Sequence, residues 1–324
     1  MHEKNAHHNL LLSWAEFVGV GWALLGVIRM YIESVILPAM SQSSCTKRFY
    51  IYRGDLEHRS APGNKYHKLK HHMNAAIKQR YQAVATFGGP HSNHVDAFVN
   101  KVVELGLLPI VVVRGEVHAQ LTPTLQSAAS NGAILFPSQR LDYRKGLASD
   151  VRNTVDQFYD DVYWVPEGGG GGLGVLGCKD WADTIMSRVT DTDMICVASG
   201  TGTTAEGFAA CEKVHHLAVF SALKGADQIV VRPIKPHLQT LLEFDECYHG
   251  GFGKMSDELL AFLKKMYELN PNLQLDPIYT GKMLYQVDQF VRQGCWEYGN
   301  TLFIHSGGLQ GWRGMPAYYY PYHE

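Results

Sequence analysis

From residue 49 onward, short apolar runs alternate with longer segments of mixed polarity. The runs at 49–52 (FYIY), 83–87 (AVATF), 108–113 (LPIVVV), 133–136 (AILF), 162–165 (VYWV), 193–198 (DMICVA), 215–220 (HHLAVF) and 301–305 (TLFIH) predict strands. Helical spacing is predicted over 65–80, over 119–131, and over 92–105, where Val95, Phe98, Val99 and Val102 share a face. It returns at 255–269 and 282–294, whereas 233–253 mixes turns with a few extended residues. Short apolar strands separated by helix-length stretches indicate parallel β-α units with helices on both faces. Such sheets gather ligands at the carboxyl ends of their strands, so the junctions after the strands are the places to look for chemistry.

Four of these junctions are rich in glycine or hydroxyl groups. VASGTGTTAEGF (197–208) delivers Ser199, Gly200, Thr201, Gly202, Thr203 and Thr204 to the start of a helix. Free amides there, with the threonine hydroxyls, suit an anion. The GxxxxGK[ST] arrangement for a nucleoside triphosphate and a full GxGxxG are both missing, so a phosphate monoester fits better. The alternative is a turn that merely caps its helix. FGGPHSNH (87–94) offers Ser92 or Asn93 as a cap. A cap needs only one polar residue, and Ser92, Asn93 and His94 together can bind a carboxylate. IHSGG (304–308) and DPIYTGKML (276–284), with Tyr279 and Thr280, belong to the same predicted rim. The five glycines 168–172 read either as a linker or as backbone approaching a ligand. Together the junctions favour a phosphorylated organic cofactor.

The 29 Lys+Arg against 31 Asp+Glu, a formal net charge of -2, give no reason to expect nucleic acid or an anionic membrane as partner. The six cysteines form no CxxC pair, and Cys196 sits in an apolar run that predicts a core position. A reducing, cytoplasmic setting follows as the default. The 16 histidines carry no H-E-x-x-H pattern, so no metal site is expected, and no G-x-S-x-G elbow marks a serine hydrolase. Near the N-terminus, Glu16 and Arg29 bracket 12 uncharged residues. A membrane span needs about 20. A helix packed on the body or on a dimer partner is expected instead.

SAPGNKYHKLKHHM (60–73) sets Lys65, Lys68 and Lys70 among histidines. A lysine amine attacks an aldehyde only when deprotonated, and burial or neighbouring cations favour that form. On these grounds alone a solvated basic helix and a Schiff-base lysine both remain open.

The segments GNKYHKL, GGPHSNH, SGTGTT, DPIYTGK and LFIHSGG, in this order, resemble the pyridoxal-phosphate (PLP) enzymes grouped with 1-aminocyclopropane-1-carboxylate (ACC) deaminase and D-cysteine desulfhydrase. The likeness runs from about Phe49 to Gly308. It implies a fold-type-II PLP enzyme, tryptophan synthase beta-like, with two open parallel-sheet lobes and the cofactor between them. The larger lobe would comprise 49–65 and 176–324, the smaller inserted lobe 66–175, and residues 1–48 an atypical extension. The resemblance implies that Lys65 carries the cofactor as a Schiff base and that Lys68 supports its phosphate or the local charge. Asn93 would bond the phenolic oxygen, and residues 199–204 would form the phosphate cup. Ser92, Asn93, His94 and Tyr279 would contact substrate, with Lys65, Ser92 and Tyr279 catalytic. Thr280 and Ser306 complete the expected cofactor site. The deaminase branch resembles this chain less at those two positions, where it carries glutamate and leucine. The implied reaction is α,β-elimination from a small amino acid, D-cysteine foremost, giving pyruvate, ammonia and sulfide. ACC deamination to 2-oxobutanoate and a noncatalytic PLP-binding role are the alternatives. A homodimer is also implied. The chain departs from the family's pattern at Gly54, at His91 and in the glycine run.

Overall fold

A computed structural model of the chain describes residues 31–42, 46–223, 234–251 and 253–322. The apolar N-terminal stretch read as a helix, residues 10–37, lies outside the described part up to residue 30, and its described end contains a strand at Ile32–Ser34 instead. The described residues form ten strands: β1 (Ile32–Ser34), β2 (Arg48–Tyr52), β3 (Ala83–Gly88), β4 (Leu108–Arg114), β5 (Ile134–Ser138), β6 (Val162–Val165), β7 (Met194–Ser199), β8 (His216–Ser221), β9 (Thr240–Phe244) and β10 (Asn300–Ile304). The α-helices among the described residues are α1 (Asn64–Lys78), α2 (Asn93–Glu104), α3 (Pro123–Ser130), α4 (Arg140–Tyr143), α5 (Asp150–Phe158), α6 (Gly171–Met186), α7 (Thr203–Ala210), α8 (Asp257–Leu269) and α9 (Thr280–Arg292).

The strands form two sheets, one of six strands in the order β1-β2-β10-β7-β8-β9 and one of four in the order β5-β4-β3-β6. All pairings are parallel except that of β1 with β2. All four strands of the smaller sheet lie, in chain order, between β2 and β7 of the larger one.

Both sheets are covered on both faces, as parallel sheets require. On one face of the larger sheet, Phe49, Ile51, Cys196 and Phe303 meet Leu259, Leu263 and Met266 of α8 and Met283, Leu284 and Val287 of α9. On the other, Tyr52, Ile195, Val197, Leu302 and Ile304 meet Trp181 and Ile185 of α6 and Phe208 of α7. In the smaller sheet, Val84, Val111 and Val113 pack on α1, α2 and α3, and Phe87 and Val112 on Tyr143 and Val155. The strand interiors are therefore apolar on successive residues, the pattern read in the sequence.

All eight predicted strands are present within two residues of their expected ends. Two more were not anticipated. β1 has three residues, and β9 is a half-buried edge strand inside the stretch expected to be irregular. β1 is held by Arg53, whose guanidinium donates to Glu33 at 3.1 Å and to Asp55 at 2.7 Å. The glycine run is not a linker. Gly168, Gly169 and Gly171 have positive φ, and α6 starts inside the run.

Candidate active site

The carboxyl ends of β2, β3, β4, β6, β7, β8 and β10 converge on one cavity of about 280 Å³. Of the expected site residues, Lys65, Lys68, Ser92, Asn93, His94, Gly200, Thr201, Gly202, Thr204, Tyr279 and Ser306 line it. Ser199, Thr203 and Thr280 stand behind that wall, each almost fully buried.

Lys65 enters from the first turn of α1. Gly63 makes that turn possible: its φ is +66°, and a Cβ there would lie 2.1 Å from the Ser306 carbonyl oxygen. The Lys65 amine donates to Asn64 Oδ1 at 2.7 Å and lies 6.0 Å from the centroid of the Tyr279 ring. Burial, and then the charge of Lys68, bring its pKa down to about 7. Lys68, one turn on, is buried and its pKa is lowered by that burial. Lys70 points outward and pairs with Asp180 at 3.0 Å.

Across the cavity, the turn 199–202 leads into α7 with Gly202 at φ +86°. Thr201 and Thr203 hydroxyls are 3.4 Å apart. Asn64 Nδ2 donates to Thr204 Oγ1 at 2.9 Å, tying the lysine's neighbour to this turn. The Ser199 hydroxyl is buried with no partner among the described residues. Gly200 lies against Tyr279, where a Cβ would come within 3.0 Å of the ring.

Ser92 caps α2, its Oγ accepting from the amides of His94 at 3.2 Å and Val95 at 3.4 Å. The capping expectation and a place in the cavity wall thus apply to one residue, whose hydroxyl proton remains available. His94 is buried, with Nε2 2.8 Å from Thr86 Oγ1 and Nδ1 without a partner among the described residues. Burial, then Lys65 and Lys68, hold its pKa well below the ordinary value, so it is neutral.

Tyr279 and Thr280 are set by Asp276. Its carboxylate accepts the amides of Ile278 at 3.1 Å, Tyr279 at 2.6 Å and Thr280 at 2.9 Å, fixing the turn that leads into α9 and the first amide of that helix. Burial and the Asp276 carboxylate push the Tyr279 phenol up, so it stays protonated. The fully buried Thr280 hydroxyl has no partner among the described residues.

Sequence reasoning missed Asn64, Arg114, Glu167 and Leu223, all in the cavity wall, and Asp276 behind it, whereas Gly168 lines the cavity as one of its two readings of the glycine run allowed. The DPIYT segment carried the signal for Asp276, an aspartate three residues before a tyrosine. Arg114 and Leu223 read as ordinary residues at or just past strand ends.

No family model matches the chain. A protein of Pyrococcus horikoshii with a provisional ACC deaminase name is 27% identical over 289 residues, covering 81% of this chain and 85% of that one. The mitochondrial bifunctional D-cysteine desulfhydrase/ACC deaminase of Arabidopsis thaliana is 26% identical, covering 81% and 72%. By sequence, the chain is a relative of these deaminase and desulfhydrase proteins. The crystal structure of an ACC deaminase homologue superposes with a TM-score of 0.71 at 24% identity, over 87% of this chain and 90% of that chain. The fold of this deaminase and desulfhydrase relative is therefore the fold-type-II one, with parallel α/β sheets in two lobes.

Proposed function

We propose that the chain is a PLP-dependent enzyme that deaminates a small amino acid by α,β-elimination, with D-cysteine the leading substrate. One observation carries this reading. A lysine amine with its pKa brought to about 7 shares a cavity with a hydroxyl-rich helix start and a protonated tyrosine. The donor set fits PLP. The buried hydroxyls of Ser199 and Thr280 and the His94 Nδ1 lack partners among the described residues. Leaving such groups unpaired costs about 1–3 kcal/mol each.

In this reading Lys65 would hold the cofactor's aldehyde carbon, the amides and hydroxyls of 199–204 would hold its phosphate with Lys68 nearby, and Asn93 would bond its phenolic oxygen. Tyr279 and Ser306, which line the cavity, would hold the cofactor's ring, with the buried Thr280 hydroxyl behind them. PLP bound there would supply an electron sink for a Cα carbanion. The Lys65 amine would move the proton at the substrate's Cα, its lowered pKa suiting a base at neutral pH. Ser92, Asn93 and His94 bind the substrate, with the Ser92 hydroxyl or the Tyr279 phenol carrying protons to or from it. The division into a larger lobe of 49–65 and 176–324 and an inserted lobe of 66–175 belongs to the same reading, as do a homodimer and a cytoplasmic setting. Among the described residues, no helix is long and apolar enough to cross a membrane.

ACC deamination is the second reading, favoured by the names of the Pyrococcus and Arabidopsis relatives. Against it stands a hydroxyl, Thr280, where that branch resembles a carboxylate-bearing site. The test is to load the protein with PLP and measure ammonia, keto acid and sulfide from ACC and a panel of D- and L-amino acids. Pyruvate and sulfide from D-cysteine, faster than 2-oxobutanoate from ACC, are expected. Lys65→Ala should lose the bound cofactor's absorbance and at least about 100-fold in rate. Turnover that survives this substitution overturns the lysine's role, and absorbance without any product leaves a PLP-binding protein that is not an enzyme.

A further inference from the structure

The cavity has two kinds of wall. Its inner part is made of buried groups, and at its mouth stand two exposed side chains of opposite charge, Arg114 and Glu167, to which the reading above gives no task. Arg114 ends β4. Among the described residues its guanidinium makes no hydrogen bond or ion pair, whereas those of Arg53, Arg292 and Arg313 meet carboxylates at 2.7, 2.7 and 3.0 Å. It faces the ring of Tyr143, 6.0 Å from the centroid. It also reaches over the loop that leads to Ser92: a Cβ on Gly89 would meet a guanidinium nitrogen at 3.1 Å. Glu167 is anchored on the same tyrosine, one of its oxygens accepting the Tyr143 hydroxyl at 2.6 Å. The second oxygen makes no hydrogen bond among the described residues. Tyr143 itself is buried, so it is a fixed post between the two charges.

A ligand tail that carries only an anion would meet Arg114 and oppose Glu167, and a cationic tail would do the reverse. A tail with both groups satisfies both and excludes the singly charged ones. Resting on the PLP-dependent elimination proposed above, we propose that Arg114 and Glu167 form a distal subsite selecting amino acids whose β-substituent is a thioether ending in its own carboxylate and ammonium. Arg114 takes the distal carboxylate and Glu167 the distal ammonium. The reaction balances with water as the only co-reactant. The Cα proton is removed and the Cβ–S bond breaks, sulfur leaving with the electron pair and taking a proton as the free thiol amino acid. Hydrolysis of the remaining three-carbon unit gives pyruvate and ammonia. Both charges are exposed at the mouth, so solvent screening limits the gain from the pair to about tenfold in affinity.

The probes are 2,6-diaminopimelate, in which a methylene replaces the thioether sulfur so that nothing can leave, 2-aminopimelate, which lacks the distal ammonium, and norleucine, which lacks both distal charges. Calorimetry reads their binding whether or not cofactor is taken up. On the native protein, diaminopimelate should bind about tenfold tighter than norleucine. Arg114→Gln should abolish the preference of diaminopimelate over norleucine and leave 2-aminopimelate the weakest of the three. Glu167→Gln should abolish the preference of diaminopimelate over 2-aminopimelate and bring 2-aminopimelate above norleucine. Equal affinities on the native protein, or preferences that survive in both variants, overturn the subsite. Absence of the preference on the native protein, with D-cysteine turnover intact, rejects the subsite alone. Failure to take up PLP with the preference intact rejects the proposed reaction and leaves the subsite standing.

Discussion

Lys65 shares a helix face and a cavity with Lys68, and burial plus that neighbouring charge give its amine a pKa of about 7. In the unfolded chain the same amine titrates near about 10.4. Between those values the unfolded chain holds a proton that the folded one has released, so this group makes stability rise with pH and exacts its full cost below pH 7. Lys65→Met removes the cost. The cofactor-free variant should therefore melt above the native protein at pH 6, with the gap closing as pH approaches 10, as scanning calorimetry at several pH values would show. A constant gap would mean that the amine is not desolvated. The rate of PLP uptake should likewise climb through pH 7 and then level off. The sequence left this lysine ambiguous because Lys65, Lys68 and Lys70 look like one basic patch. Helical geometry divides them: positions three apart share a face, and position 70 turns away to Asp180. Arg114 was illegible for a different reason. Its meaning comes from Tyr143 and Gly89, which the fold brings to it from elsewhere in the chain.

At the scale of elements, the glycine run does two jobs that composition alone could not separate. Its first members bring backbone against the cavity: a Cβ on Gly168 would lie 3.1 Å from Thr201, and one on Gly169 would lie 3.0 Å from the Lys68 side chain. Its later members begin α6, and Gly177 continues the theme by letting that helix sit on α1, where a Cβ would fall 1.9 Å from the His67 carbonyl oxygen. Gly172 has no atom within 4 Å of such a Cβ and lies in the first turn of the helix. Gly172→Ala should thus stabilise the protein by about 0.5–1 kcal/mol through a less free unfolded chain. Gly177→Ala should destabilise it by about 1–3 kcal/mol through overpacking. Urea denaturation of both variants checks the opposite signs. The strands, in contrast, were readable because a sheet covered on both faces needs apolar residues on both. β1 escaped because three residues carry too little pattern, and α6 because glycines usually signal a break. Gly54 also finds its reason here: a Cβ there would lie 2.5 Å from the His305 carbonyl oxygen and 2.8 Å from Trp181.

Across the whole molecule, the order of strands was the least legible feature, since no local pattern says that the last strand enters the middle of a sheet. β10 lies between β2 and β7, and Arg48 bonds Asn300 across a separation of 252 residues. Without β10, two strand edges that are normally covered would stand open side by side, an invitation to pair with other chains. A chain ending at residue 299 is expected to be recovered as aggregate, measured as the pelleted fraction on expression beside the full-length protein. The same arrangement sets a timetable for biosynthesis. Lys65 leaves the ribosome more than two hundred residues before Ser306 and Gly307, which seat its turn. The ligand pocket is assembled only once residues 64 to 306 have all been translated, so no nascent segment that stops short of β10 can hold a cofactor there.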